Sequence, residues 1–161
     1  MTERDLEERL VGICLEEGIR IATAESCTGG LVACRITRVP GASGCFPGGV
    51  VAYANEIKEA LLGVDAGIIR EQGAVSEPVA RMMAEGARRV FRSDYGLGVT
   101  GIAGPSGGTA AKPVGLVYLA VSGPKSTVCR EYRFTGDRQA IRSQTADAAL
   151  RDLISMIMED M

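Results

Sequence analysis

Helix-like and strand-like patterns of apolar residues succeed one another along this chain. Apolar residues in 3–17 recur at the three- and four-residue spacing of an amphipathic helix, and the apolar run 19–25 after Gly18 has the length of a buried strand. The same patterns predict further helices at 29–39, 55–63, 76–94 and from about Asp137 onward. They predict further strands at 50–54, 95–104, 114–123 and 127–136.

Several residues mark where the predicted helices begin. Asn55 and Ser76 are good N-cap residues for the helices that follow them, and Thr28 is placed to cap the helix at 29–39. Pro78 falls in the first turn after Ser76, where the missing N–H of proline does no harm. The last two strands flank a short turn at 124–126 and are predicted to pair as an antiparallel hairpin.

This order of elements predicts the fold class. Strands that alternate with helices and end in a hairpin indicate an α/β fold, a three-layer α/β/α sandwich around a mixed, mostly parallel sheet. The 161 residues are within the range of one domain, so we expect residues 1–161 to form a single core. No apolar run has the length of a membrane span and the first residues lack the pattern of a signal peptide, so we expect a cytoplasmic protein without a membrane partner.

The composition removes several classes of function. The chain has no histidine, which excludes Ser-His-Asp and Cys-His catalysis and histidine metal sites. The five cysteines are scattered without a CxxC pair, so we expect no structural zinc, and nothing in the sequence calls for a cofactor. A net charge of -2 and few aromatic residues argue against a nucleic-acid partner.

Two glycine-rich turns follow predicted strands, at 26–30 and 104–109, which is where open α/β sheets bind ligands. Neither has the glycine spacing of a dinucleotide or P-loop fingerprint, so their glycines serve either as tight turns or as a different kind of binding loop. Hydroxyls and backbone N–H groups in both turns suit a phosphate or a sugar. They belong to Thr28, Gly29 and Gly30 in the first turn and to Gly104, Ser106, Gly107, Gly108 and Thr109 in the second.

Five stretches of the chain resemble the C-terminal domain of the CinA family and occur in the family's order. They are "TAESCTGGLVA", "VVAYANEIK", "GAVSEPVARMMAEGA", "VTGIAGPSGGTAAKPVGLVYLAV" and "FTGDRQAIRSQTADAAL". Standalone members of the family are nicotinamide-nucleotide amidases, so the resemblance implies hydrolysis of the carboxamide of nicotinamide mononucleotide to nicotinate mononucleotide and ammonia. The molybdopterin-binding-like N-terminal domain of longer CinA proteins is not expected here.

The resemblance also implies a catalytic group. The matching family positions are Ser26, Tyr53 and Lys58, with Tyr53 relaying or donating a proton. Ser26 would be the nucleophile, and the N–H groups of 28–30 at the predicted helix start would hold the oxyanion. Cys27 is a neighbouring rival nucleophile for which the sequence shows no base.

A neutral lysine is the natural base for a serine in a chain without histidine, and three lysines are available. Lys58 would lie in the first turn of a helix, where the helix dipole and burial both lower the pKa of its ammonium. Lys125 lies in a predicted hairpin turn and should be solvated. Lys112, in the glycine loop, better suits a ligand carboxylate or phosphate, and the choice between Lys58 and Lys112 as the base stays open.

For the phosphate of the substrate, the sequence favours the loop 104–109 together with an arginine. Arg138 and Arg142 lie one turn apart at the start of a predicted helix, and Arg142 is the one assigned to substrate binding. The same two arginines could equally form a surface ion-pair face with Asp137.

A function of a different class is also compatible with the sequence. The domain could bind a pyridine nucleotide as a sensor or partner module without turning it over. In either case we expect a small-molecule ligand, and a homo-oligomer with a dimer favoured.

Overall fold

The computed structural model describes residues 3–161, with side chains from residue 6 onward. The helices are α1 (Glu3–Glu17), α2 (Leu31–Thr37), α3 (Asn55–Leu62), α4 (Ala66–Gln72), α5 (Glu77–Phe91) and α6 (Arg138–Asp160), with a short 3-10 turn at Ala42–Gly44. The strands are β1 (Ile21–Glu25), β2 (Gly48–Val51), β3 (Tyr95–Gly101), β4 (Leu116–Ser122) and β5 (Thr127–Arg133). None of the helices in this described part has both the length and the apolar character needed to cross a membrane.

The five strands form one mixed sheet in the order β2-β1-β3-β4-β5. β1 pairs in parallel with β2 on one side and with β3 on the other. β4 runs antiparallel to β3, and β5 runs antiparallel to β4 as the predicted hairpin. Four of the five strands therefore point the same way, which confirms the predicted mixed α/β sheet.

Helices cover both faces of the sheet and give the predicted three layers. β1 shows why, because its side chains alternate between two separate cores. Ile21 belongs to the larger core with the apolar residues of α1, α2 and α6. Ala22 and Ala24 face the opposite core, which α3, α4 and α5 close with Leu62, Ile69 and Met83.

The ends of three elements differ from the sequence prediction. Asn55 is the first residue of α3 and Ala54 occupies the cap position, so Asn55 is not the cap. Thr28 does not cap α2, because Gly30 takes the cap position with a left-handed backbone. β2 ends at Val51 rather than at residue 54.

Other helix starts agree with the prediction, and one helix was missed. Ser76 holds the predicted cap position of α5, and α6 begins directly after Asp137, about where a helix was predicted to start. The seven-residue helix α4 was not predicted, since a segment this short carries little periodicity. Its cap is Asp65, whose carboxylate accepts hydrogen bonds from the N–H groups of Gly67 and Ile68.

A buried ionic cluster joins the three helices of one layer. Arg35 of α2 contacts Glu7 of α1 at 2.8 Å and Asp147 of α6 at 2.6 Å. The Arg35 and Glu7 side chains are both almost fully buried. The cluster sets the position of α2, and the turn that precedes α2 contains Ser26.

We expect Arg35→Met to lower the free energy of unfolding by about 3–5 kcal/mol, because it leaves the Glu7 carboxylate buried without its main partner. Urea denaturation followed by circular dichroism measures this change. Glu77→Gln is the matched control: it breaks an exposed pair with Arg81 and should cost less than about 1 kcal/mol. Equal losses in both variants would contradict a stabilising role for the buried cluster.

Candidate active site

Three parallel strands end at the same edge of the sheet and bring the predicted site residues together. Glu25, the last residue of β1, is in register with Val51 of β2 and Val99 of β3. Just beyond, the Ser26 N–H donates to the Val99 carbonyl (3.0 Å), and the Ala52 N–H donates to the Glu25 carbonyl (2.8 Å). Ser26 and Tyr53 therefore leave adjacent strands side by side.

Ser26 begins a tight turn that leads from β1 into α2. Its side chain is 9% exposed, and its hydroxyl makes no hydrogen bond with any described residue. Gly29 and Gly30 have φ angles of 59° and 98°, a backbone conformation that favours glycine. A serine hydroxyl in this position is free to contact a ligand.

The backbone N–H groups of this turn are used differently from the prediction. The Gly29 N–H donates to the Ser26 carbonyl at 3.0 Å, so it is not a free oxyanion donor. Thr28 is completely buried, and its hydroxyl has no partner among the described residues. Gly30 is half-buried, and its N–H donates to no acceptor in the described chain, which leaves it as the accessible donor of the three.

Lys58 is buried at the same edge of the sheet, with only 2% of its surface exposed. Its ammonium donates to the Tyr53 carbonyl at 3.0 Å. Burial lowers the pKa of Lys58; Cys27 in its thiolate form and the Glu56 carboxylate act in the opposite direction. The predicted direction of the pKa shift is thus confirmed. The Tyr53 carbonyl that the ammonium binds directly follows Ala52, whose N–H donates to the carbonyl of Glu25, so Lys58 and the turn that begins at Ser26 lie at the same edge of the sheet.

Tyr53 contributes its backbone and its phenol to different contacts. Its side chain is 60% exposed, and its hydroxyl oxygen accepts a hydrogen bond from Nη2 of Arg138 at 3.1 Å. Nη1 of the same arginine donates to the carbonyl of Gly104 at 2.8 Å. Arg138 thereby links Tyr53 to the start of the glycine loop.

Arg142 contacts the turn that contains Ser26. Its Nε donates to the Cys27 carbonyl at 3.1 Å and its Nη2 to the Thr28 carbonyl at 2.8 Å. The alternative of an ion pair with Asp137 is not seen, because that carboxylate caps α6 through the N–H of Ala140. Arg142 therefore holds the turn rather than extending into solvent.

The glycine loop has one buried end and an exposed centre. Gly104 is buried, whereas Ser106, Gly107, Gly108 and Thr109 are exposed. The Thr109 N–H donates to the Lys112 carbonyl, and the Thr109 hydroxyl accepts from the Lys112 N–H. Of the residues in this loop, only Gly104 is connected to Tyr53, because Arg138 donates hydrogen bonds to both.

No hydrogen bond among the described residues joins Lys112 to Ser26, Tyr53 or Lys58. The Lys112 ammonium donates to the carbonyl of Gln72, the last residue of α4, where a cation is favoured by the helix dipole. Lys125 lies in the exposed hairpin turn and donates to the Asp160 carbonyl. Of the three lysines, only Lys58 is buried near Ser26.

The sequence reasoning missed Glu25. Its carboxylate is 1% exposed and accepts hydrogen bonds from the N–H groups of Val32 at 2.8 Å and Ala33 at 3.0 Å, at the start of α2. The available signal was an acidic residue inside an apolar strand immediately before Ser26, because a carboxylate is rarely buried without hydrogen-bond partners.

No three Cys, Asp or Glu side chains in the described part of the chain cluster as metal ligands would. The Ser26 hydroxyl lies at this edge of the sheet together with the titratable side chains of Glu25, Cys27, Tyr53, Lys58, Arg138 and Arg142. Together they can hold and transfer protons and bind an anionic group.

Sequence comparisons identify relatives of this chain. A family model described as the CinA C-terminal domain matches residues 3–157. A CinA-like protein of Anaeromyxobacter sp. (strain Fw109-5) is 54% identical over 92% of this chain, and a putative competence-damage inducible protein of Desulforudis audaxviator is 50% identical over 95% of it. The chain spans only 36% and 37% of the length of these two relatives.

Solved structures give the same grouping. The competence/damage inducible protein CihA from Agrobacterium tumefaciens superimposes with a TM-score of 0.93 at 40% identity, over 95% of this chain and 94% of that one. The competence damage-inducible protein A (ComA) from Klebsiella pneumoniae has a TM-score of 0.94 at 28% identity, over 98% of both chains. With the match over residues 3–157, these likenesses place the chain in one family: it belongs to the CinA C-terminal domain family.

Proposed function

We propose that this domain is a nicotinamide-nucleotide amidase that hydrolyses the carboxamide of nicotinamide mononucleotide to nicotinate mononucleotide and ammonia. The observation that carries the proposal is the burial of Lys58 beside the Ser26 turn, with its pKa lowered. A buried lysine and an unpaired serine hydroxyl at the same edge of the sheet are the base and the nucleophile that amide hydrolysis needs in a chain without histidine. The substrate itself is inferred from the family resemblance.

In the proposed reaction, neutral Lys58 accepts the proton of the Ser26 hydroxyl as its oxygen attacks the carboxamide carbon. The tetrahedral oxyanion collapses as the leaving amine takes a proton from the Tyr53 phenol and departs as ammonia, which leaves an ester on Ser26. Water then attacks the ester and gives a proton to the Tyr53 phenolate, while protonated Lys58 returns its proton to the Ser26 oxygen, so both groups regain their starting states. The accessible N–H of Gly30 is the donor of the turn that is best placed for the oxyanion.

Tyr53 is the proposed proton donor to the leaving amine. Its oxygen accepts a hydrogen bond from Arg138, so its own O–H remains free to donate. The second terminal nitrogen of the same guanidinium donates to the Gly104 carbonyl, so one side chain connects the start of the glycine loop to the phenol. The exposed N–H groups of this loop are the proposed site for the phosphate of the substrate.

We expect Ser26→Ala to abolish release of ammonia from nicotinamide mononucleotide while Cys27→Ala keeps most of it. The reason is that the Cys27 thiol is buried, which raises its pKa to about 11 and leaves it protonated at neutral pH. A coupled ammonia assay on well-folded variants measures the effect. Activity that persists in Ser26→Ala but disappears in Cys27→Ala would make the cysteine the nucleophile. If wild-type protein binds the nucleotide without forming nicotinate mononucleotide, the sensor function replaces the amidase.

We expect Lys58→Arg to lower kcat roughly 10²- to 10⁴-fold, because arginine keeps the charge but does not accept a proton. In the wild type, kcat/KM should rise with pH as Lys58 loses its proton, with a midpoint below the ordinary lysine value of 10.5. The pH–rate profile measures this midpoint. An arginine variant with near-normal kcat would mean that Lys58 supplies only positive charge.

We expect nicotinamide riboside, which lacks the phosphate, to be a much poorer substrate than the mononucleotide, because binding energy from the phosphate would be lost. The comparison is made on kcat/KM for the two compounds under identical conditions. Equal values would leave the residues of the 104–109 loop as turn formers only.

A further inference from the structure

We propose that Glu25 is a positioning residue: it holds the start of α2 against the end of β1 and thereby fixes the position of Ser26. The expected effect of Glu25 on turnover rests on the proposed function, whereas the hydrogen bonds that hold the turn do not. Both oxygens of the buried carboxylate accept backbone N–H groups, from Val32 at 2.8 Å and from Ala33 at 3.0 Å. Ser26 is the next residue along the chain.

The partners of Glu25 are unusual for a buried acid. Among the described residues no lysine or arginine forms a salt bridge with it, although it is 1% exposed. A buried carboxylate is costly unless its oxygens are hydrogen-bonded, and here two N–H groups at the positive end of a helix meet that need. The first turn of α2 therefore already holds an anion that belongs to the protein, so it is not the phosphate site.

The distance along the chain distinguishes this contact from an ordinary helix cap. Asp65 and Asp137 cap α4 and α6 from the position directly before each helix, which closes a local loop of two or three residues. Glu25 reaches over the whole 26–30 turn to residues seven and eight positions later. A local cap would satisfy the N–H groups of α2 equally well, but it would not tie that helix to the strand.

Arg142 holds the same turn through direct hydrogen bonds. It donates to the carbonyls of Cys27 and Thr28, while Glu25 accepts from the helix that follows them. The Ser26 N–H is bound to the Val99 carbonyl of β3, but the rest of the turn makes only short-range backbone bonds, such as those from Gly29 to Ser26 and from Leu31 to Thr28, and two of its residues are glycines. A buried anion that binds the start of α2 and a cation that binds the turn itself therefore limit the positions that Ser26 can take.

The experiment compares Glu25→Gln and Glu25→Ala with a matched control, Asp65→Ala, which removes a cap from a helix outside the site. Glu25→Gln keeps the size of the side chain but presents one N–H donor where an acceptor is needed. The first measurement is the rate of alkylation of Cys27 by iodoacetamide, determined by peptide mass spectrometry. Exposed Cys34 in the same molecule is the internal reference, whereas Cys27 is buried within the turn. The second measurement is kcat and KM for nicotinamide mononucleotide.

We expect Cys27 alkylation, relative to Cys34, to increase roughly fivefold or more in both Glu25 variants, since loss of a cap of this kind opens the turn more often. We expect kcat to fall roughly 100-fold with KM little changed, the effect of misplacing a reacting group by about 1 Å. Asp65→Ala should change neither quantity, although it lowers overall stability.

The outcomes separate this proposal from the proposed function. Unchanged protection of Cys27 in the Glu25 variants, or equal exposure in Asp65→Ala, would overturn the positioning role whatever the activity. Increased alkylation with an unchanged kcat would also overturn it. If the wild-type protein shows no amidase activity while Cys27 is exposed in the Glu25 variants only, the amidase proposal fails and the role of Glu25 in holding the turn stands.

Discussion

The parallel pairing of β1 between β2 and β3 is the constraint on which the candidate site depends. Because the three strands run the same way and are in register at Glu25, Val51 and Val99, the residues that follow them leave the sheet at one edge. That register places Ser26 next to the segment that carries Tyr53. A shift of one residue in β1 would move Ser26 to the other face of the sheet and exchange its two cores.

Charge burial is the second feature that shapes this edge. Lys58 on one face and Glu25 on the other are both almost fully buried, and the hydrogen bonds described for both charged groups go to backbone. Such groups are costly for stability and are kept where they set the geometry or the proton affinity of a site. For Lys58 the consequence is a lowered pKa, and for Glu25 it is a fixed connection between strand and helix.

The family resemblance and the local patterns agree with the structure over most of the chain. Long periodic segments such as α5 and α6 and the hairpin of β4 and β5 were predicted from the sequence, because their apolar spacing is set by neighbours close in the chain. The short α4 was not, because seven residues carry little periodicity. The start of α2 and the end of β2 were not, because they depend on Glu25, which accepts N–H groups of the first turn of α2 and pairs with Val51 at the end of β2. At the start of α4, the Asp65 N–H also donates a hydrogen bond to the sulfur of Met82 on α5.

The sequence by itself determined the α/β class, the family, the absence of histidine chemistry and the candidates Ser26, Tyr53 and Lys58. The fold class and the absence of histidine chemistry follow from residue type and spacing, which are local properties. The family and the three candidate residues follow from the resemblance of five stretches of the chain to the CinA C-terminal domain. Only the tertiary structure decided that Lys58 is the buried lysine, that Gly29 uses its N–H within the turn, and that Arg142 and Glu25 hold that turn. Hydrogen bonds of this kind join residues that are distant in sequence, such as Arg142 and Thr28. The local pattern around one of these residues does not specify which distant residue it will contact.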